Sequence, residues 1–297
     1  MSARLTTYLP EGAAAECLLR PTSPAHIGRS GECEILIDHP SVSRVHARLE
    51  PGQGQWQLVD LASKNGTYVD GLRISSQRLE RASWLRVGDV ACQFQPLDAQ
   101  ALERAEIRAS TRRSASLVHT QRVEQHKALP DLLQATLAAV VELAGCQRGF
   151  LLVAGPDGLA VRAWQGLQAA HLGRPDFSGS VGAVQRALDA GKPVIVHDIG
   201  ADPHLGSRAS VVAGGLRTLV CLPLEFNGEV LGLAYADSRE PGTLVTTLDL
   251  ELLQAFASRA SLWIAARRSE AALDQVSRHA QWAGIASNHA LPAHGRP

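Results

Sequence analysis

The 297 residues include 29 basic and 29 acidic side chains, with 45% hydrophobic and 20% charged residues, which is the composition of folded protein and excludes a disordered chain. The balanced charge excludes a general nucleic-acid or membrane surface, so neither is expected as a direct partner and any anion recognition has to be local. The length suits two domains, each able to bury its own core.

The five cysteines (Cys17, Cys33, Cys92, Cys146 and Cys221) are scattered without a C-x-x-C pair, the spacing of neither a zinc site nor a disulfide framework. The first residues, MSARLTTYLP, lack the apolar run of a signal peptide, and no stretch approaches a membrane span. The expected address is the cytoplasm, where the formal glycosylation sequon Asn65-Gly66-Thr67 would never be used.

From Leu5 to about Leu97 short alternating runs follow one another: AECLLR, EILI, RVHARLE, QWQLVDL, TYVDGLRI and WLRVGDVACQF. Turn signals separate them at Pro21–Pro24, Gly52–Gly54, Asn65-Gly66, Asp70-Gly71 and Gly88-Asp89. Many short strands at near-regular spacing predict an all-β sandwich or barrel over residues 1–97. Asn-Gly and Asp-Gly suit tight hairpins because both tolerate positive φ.

Residues 98–129 then predict a helical linker rich in Ala, Arg, Glu and Gln, with a thin apolar stripe and no sustained heptad. Its polar run Arg108–Ser116 is expected to interrupt the helix. A second domain, 130–268, opens with Pro130 in the first turn of a helix whose face carries Leu133, Leu137, Val140, Val141 and Ala144. Strand-like GFLLVAG and LAVRAW, a helix near Gly182–Ala190, then PVIVHDI, TLVCLPLEF, EVLGLAYAD and a closing helix at 247–268 predict an α+β fold. Residues 269–297, rich in Ala, His, Gly and Pro, are expected to form a flexible tail.

Four motifs stand in order along the first domain: Gly28-Arg29 after a strand, Ser43-Arg44-Val45-His46, Asn65-Gly66-Thr67, and Leu85-x-x-Gly88-Asp89. The ordered set resembles the forkhead-associated (FHA) family, β-sandwiches that bind phosphothreonine peptides with loops at one end. The chemistry fits independently of the family. A phosphothreonine carries about −1.5 to −2 charges and three strong acceptor oxygens, and the always-charged fork of Arg29 suits it. Ser43 can donate its hydroxyl to the same group. The resemblance places Asn65 against the peptide backbone and Arg44 and Lys64 at further phosphate contacts. It makes Gly28, His46 and Gly66 structural supports of the site, with His46 bracing a loop through backbone hydrogen bonds. Alone, Arg29 could equally be a solvated surface arginine and Ser43 a turn residue.

The stretches ELAGCQRGFLLV, GKPVIVHDIGADP, GLRTLVCLPLEFNGEVLGLAYADS and LLQAFASRASLWIAARR resemble a GAF domain, a small-molecule sensor with an antiparallel sheet and packed helices that also serves for dimerisation. The Asn-Lys-x-x-Asp-type motif of cyclic-nucleotide-binding members is absent. Cys221 lies in an apolar strand and reads as a buried hydrophobe, and His171, His197 and His204 read as scattered polar residues and not as a haem site. No cofactor is expected and the GAF ligand stays open.

These features predict a multidomain, non-enzymatic signalling adaptor of bacterial type: an FHA reader of a phosphothreonine-containing protein, a serine/threonine kinase or its substrate, joined to a GAF sensor or pairing module. Alternatives are the input half of an enhancer-binding transcription regulator without its ATPase and DNA-binding output, and an assembly protein that binds an unphosphorylated partner. Apolar surface on helix 247–268 beyond one sheet face (Leu252, Leu262, Ile264) predicts a homodimer. Thr111, among basic residues between reader and sensor, is a candidate phosphosite, the other reading being a solvated linker face.

Overall fold

The computed structural model describes residues 1–9, 12–52, 54–155, 157–167, 181–197, 217–240 and 244–278. Strands β1 (Ser2–Tyr8), β2 (Ala15–Leu19), β3 (Ala25–Gly28), β4 (Ile35–Leu36), β5 (Ala47–Pro51), β6 (Trp56–Asp60), β7 (Thr67–Val69), β8 (Leu72–Ile74), β9 (Ser76–Leu79), β10 (Ser83–Val87) and β11 (Val90–Leu97) build two sheets. Their orders are β2-β1-β11-β10-β7-β8 and β4-β3-β5-β6-β9. Alternation explains the sandwich. In β10 and the first five residues of β11 every second side chain is buried, so one face of the sheet is apolar and needs a partner. The facing sheet supplies Ile27, Leu49, Trp56 and Leu58, all buried with Leu5, Leu85 and Phe94 in one core.

The turn residues act in two different ways. Asp70 (φ 48°) and Gly71 (φ 85°) close a two-residue hairpin between β7 and β8, as expected of Asp-Gly. Asn65-Gly66 makes no hairpin. It lies between β6 and β7, which belong to different sheets, and only Gly66 takes positive φ (79°). The dipeptide turns the chain from one layer to the other at the rim.

The rest of the chain comprises α1 (Ala99–Glu124), α2 (Leu129–Leu143), β12 (Arg148–Gly155), β13 (Gly158–Gln165), α3 (Val181–Ala190), β14 (Val194–His197), β15 (Thr218–Phe226), β16 (Glu229–Ser238) and α4 (Thr247–Arg278). The sheet β13-β12-β16-β15-β14 is antiparallel throughout. Helices α2 and α4 cover one face, where Leu137, Val140, Leu253, Phe256 and Ile264 join Leu151, Val220 and Ala234. The other face packs Phe150, Leu219, Cys221 and Tyr235 against Ala183 and Ala187 of α3. Pro130 sits in the first turn of α2, where its missing N–H costs nothing. Thr246 and Asp249 cap α4 reciprocally: Thr246 Oγ1 donates to Asp249 Oδ2 (2.7 Å), and the Asp249 N–H donates back to Thr246 Oγ1 (3.3 Å).

Two expectations about the helices need correction. The run Arg108–Ser116 does not interrupt α1, which is continuous from Ala99 to Glu124. Thr111 Oγ1 and Thr120 Oγ1 each donate to the carbonyl four residues back (2.9 and 2.8 Å), so the hydroxyls are satisfied within the helix. Packing decides the matter: Ser116, His119 and Val123 are buried, and Val123 belongs to the α2–α4 core. Likewise α4 passes the expected tail boundary at Ser269 and continues to Arg278, while 279–297 lie outside the described residues.

The β-sandwich also reaches the second core directly. Ala13, between β1 and β2, is buried in the α2–α4 cluster. Next to it the Ala14 N–H donates to Val245 O (3.0 Å) and Ala14 O accepts from the Thr247 N–H (2.9 Å). Arg112 of α1 pairs with Asp249 at the start of α4 (2.8 Å), so the helix expected to be a linker is part of the packed structure.

Candidate functional site

The four FHA-like motifs meet on one rim. Gly28 ends β3 against the segment that carries Ser43 and Arg44. The Arg29 N–H donates to Ser43 O (2.9 Å) and the Ser30 N–H to Arg44 O (3.0 Å). This approach needs glycine at position 28, because an added Cβ would stand 2.2 Å from Arg44 O. The Arg29 side chain is exposed, with Nε donating to Val42 O (3.3 Å).

His46 locks two loops together. The Ser43 N–H donates to its Nδ1 (3.0 Å), which fixes the ring proton on Nε2, and Nε2 lies 3.1 Å from Gly66 O. Fully buried, the ring is kept neutral: burial pushes its pKa down, against the opposing pull of the Gly66 hydrogen bond and Asp60. The contribution to stability is complete above the ordinary histidine value of about 6.5 and is lost as pH falls through the lowered folded value. Acid unfolding of the sandwich in urea should therefore begin earlier in wild type than in His46→Asn normalised to its own stability at pH 8. Parallel pH profiles for the two proteins would remove His46 as the cause.

The Asn65 loop is tied in the same manner. Ser43 Oγ accepts from the Lys64 N–H (3.1 Å), and Asn65 Nδ2 donates to Ser41 O (2.7 Å). Beneath them Asp60 Oδ1 accepts from Ser63 Oγ (2.5 Å) and Thr67 Oγ1 (2.6 Å). Burial works to raise the Asp60 pKa, but these hydroxyls and the Ser63 N–H hold it below the usual carboxylate range. Arg29, Ser43, Arg44, Lys64 and Asn65 thus share one rim, with Arg29, Arg44, Lys64 and Asn65 exposed and Gly28, His46 and Gly66 buried beneath. Among the described residues none of the three cations forms an ion pair. Such an edge can hold a dianion by charge and by directed N–H and O–H donors.

Sequence reasoning missed Ser41, whose Oγ accepts from the Asp89 N–H (2.8 Å) and whose carbonyl holds Asn65, joining the late Gly88-Asp89 turn to the rim. A serine in a turn carries no signal of such a role. It also missed Arg73, which lies against Gly66: a Cβ there would be 2.7 Å from Arg73 Nε.

In the second domain Cys221 is fully buried and burial pushes its thiol up to about 12, as it does that of Cys146. His197 is half-buried, its Nε2 lies 3.1 Å from Val245 O, and burial lowers its pKa, so it is engaged in structure. His171 and His204 lie outside the described residues. Sequence reasoning overlooked a buried ion pair: Arg148 binds Asp237 through both Nε and Nη2, and Asp237 Oδ2 also accepts from Tyr235 OH (2.7 Å). Among the described residues no group of three His, Cys, Asp or Glu side chains is placed to hold a metal, and no helix is long and apolar enough to cross a membrane.

The family model of the FHA domain matches residues 25–90 and that of the GAF domain matches residues 128–264. An oxoglutarate dehydrogenase inhibitor of Corynebacterium efficiens is 37% identical over 79 residues, 27% of this chain and 54% of that protein. The glycogen accumulation regulator GarA of Mycolicibacterium smegmatis is 34% identical over 79 residues, 27% of this chain and 49% of that protein. The chain therefore spans about half the length of these curated relatives. Among solved structures, the GAF domain of a phosphoenolpyruvate-protein phosphotransferase from Coxiella burnetii is similar with a TM-score of 0.43 and 18% identity, covering 55% of this chain and 98% of that one.

Proposed function

We propose that this chain, an FHA domain followed by a GAF domain, is a regulatory adaptor that binds a phosphothreonine-containing protein through its FHA rim and pairs with a second copy through its helices. One observation carries the first part: Arg29, Ser43, Lys64 and Asn65, far apart in sequence, converge on one edge whose supports His46 and Gly66 are buried and hydrogen-bonded. The partner is a serine/threonine kinase or a substrate of one, met in the cytoplasm, and no catalytic step is assigned to either domain. Titrating the full chain with matched phosphorylated and unphosphorylated threonine peptides tests this. Equal affinity for both would instead make it a phospho-independent assembly protein.

Selectivity supplies a sharper measurement. If the rim encloses the threonine methyl, phosphoserine should bind about tenfold to two-hundredfold more weakly, the range for one methyl in a fitted pocket. Indifference between the two peptides would mean that only charge is read.

Support for pairing comes from apolar side chains left on two adjacent helices. Leu117 (67% exposed) and Val118 (51%) lie on α1, and Leu262 (47%) and Leu273 (67%) on α4. Ile264, expected to contribute, is instead buried in the core. Light scattering of the full chain should give a dimer that Leu273→Glu with Leu117→Glu dissociates; a wild-type monomer at high concentration would refute it. Thr111 belongs to the same proposal as a phosphosite read by the FHA rim of the second copy, since its side chain is exposed on α1 beside Arg112 and Arg113. After kinase treatment, hydrogen exchange around Arg29 and Asn65 should slow in wild type and not in Thr111→Ala.

A further inference from the structure

The phosphate rim continues onto the outer face of the six-stranded sheet through a row of three side chains. The β7–β8 register sets Arg73 opposite Tyr68, and the β10–β7 register sets Arg86 on the other side of Tyr68. The Arg86 guanidinium lies 3.5 Å from the centroid of the Tyr68 ring, a cation–π contact, and its Nη1 donates to Gly88 O (2.8 Å). Arg73 is held by the shortest kind of hairpin, whose turn at Asp70-Gly71 admits no slippage of register. Its guanidinium stands over Gly66, the residue that follows Asn65 and whose carbonyl is fixed by His46 and the Gly88 N–H.

Neither arginine has a carboxylate partner among the described residues. Three arginines of the sandwich are paired, Arg4 with Glu16, Arg20 with Glu106 and Arg48 with Glu50, while Arg78 and Arg81 stand apart from the rim without a carboxylate partner among the described residues. Arg73 and Arg86 differ from these in lying beside the Asn65-Gly66 turn. Two acids close to this row in the sequence are engaged otherwise. Asp70 Oδ1 accepts from the Trp84 N–H (2.9 Å), and Asp60 is turned inward to Ser63 and Thr67. The chain is neutral overall, so a run of unpaired cations from Arg29 and Lys64 to Arg73 and Arg86 is a local feature that wants an anionic counterpart.

We propose that Arg73, backed by Tyr68 and Arg86, is a second anionic subsite, which takes a carboxylate or second phosphate on a side chain flanking the phosphothreonine. The proposal rests on phosphothreonine binding at the rim and adds a sequence preference to it. Arg73 acts by direct contact with that flanking side chain; Arg86 and Tyr68 hold the surface on which it lies.

The test uses the full chain and a phosphothreonine peptide with alanine flanks. Aspartate, glutamate or phosphoserine is then placed singly at each of the three positions on either side. Wild type should prefer at least one anionic-flank peptide over the alanine-flank peptide by about threefold to tenfold, the worth of one partly exposed charge-assisted contact. Arg73→Gln should abolish that preference while binding the alanine-flank peptide as wild type does. Comparing aspartate and glutamate with phosphoserine at the preferred position tells which anion the subsite takes. No preference at any position, or equal loss of all peptides in Arg73→Gln, would overturn the proposal, the second result making Arg73 a mere prop of the Gly66 turn. Wild type that binds no phosphothreonine peptide at all would defeat the underlying function and the subsite with it.

Discussion

Arg29→Ala should weaken binding of a phosphothreonine peptide about tenfold or more. A charge-assisted hydrogen bond contributes about 1.5–3 kcal/mol, and 1.4 kcal/mol is already a factor of ten. The change is well posed because Arg29 is exposed and its backbone does the structural work: its N–H, which alanine keeps, holds Ser43 O at 2.9 Å. Only the weak Nε contact to Val42 O at 3.3 Å is lost in the free protein, so the thermal midpoint should hardly move. Raising the salt concentration should weaken wild type more than the variant, since one of the charges being screened is gone. Unchanged affinity in a folded variant would take Arg29 out of the site.

The second large effect lies in the GAF domain, at a pair with no part in peptide binding. Arg148→Ala should destabilise that domain by about 3–5 kcal/mol, the usual cost of leaving one member of a buried ion pair behind. Asp237 is fully buried, and Arg148 and Asp237 face each other across the β12–β16 ladder. Without the guanidinium, the carboxylate would keep the Tyr235 hydroxyl as partner but lose its charge compensation. Tyr235→Phe removes only a neutral donor and should cost about 1–2 kcal/mol, so the two variants calibrate each other in urea unfolding. Equal small effects would mean that water reaches the pair and shares its burden.

The presence of the strands in the sandwich was legible because burial alternates along them, and alternation is visible in a string such as WLRVGDVACQF, whereas their order in the two sheets was not. The rim was legible for a different reason. Glycine at position 28, where a Cβ would collide with Arg44 O, and histidine at position 46, which must accept at one nitrogen and lie against a carbonyl at the other, tolerate few substitutes. Such residues leave a pattern.

Other features left none. Ser41 and Arg73 reach the rim only because the sheets stack and the β7–β8 hairpin folds Arg73 over Gly66, and a serine or arginine in a turn is otherwise unremarked. Arg148 and Asp237 are 89 residues apart, and nothing local marks either as buried. Helix α1 was misjudged for the same reason. Its polar run is a poor helix by pattern, yet Val123 and His119 are buried when it docks against α2 and α4, and that burial makes it continuous. By itself, then, the sequence determined the two domains and which loop residues meet on the rim, because periodicity and special backbone positions are local properties. The tertiary structure alone decided which charges are paired, where the helices end and how the FHA sandwich touches the GAF core at Ala13, because each of these depends on groups brought together from distant parts of the chain.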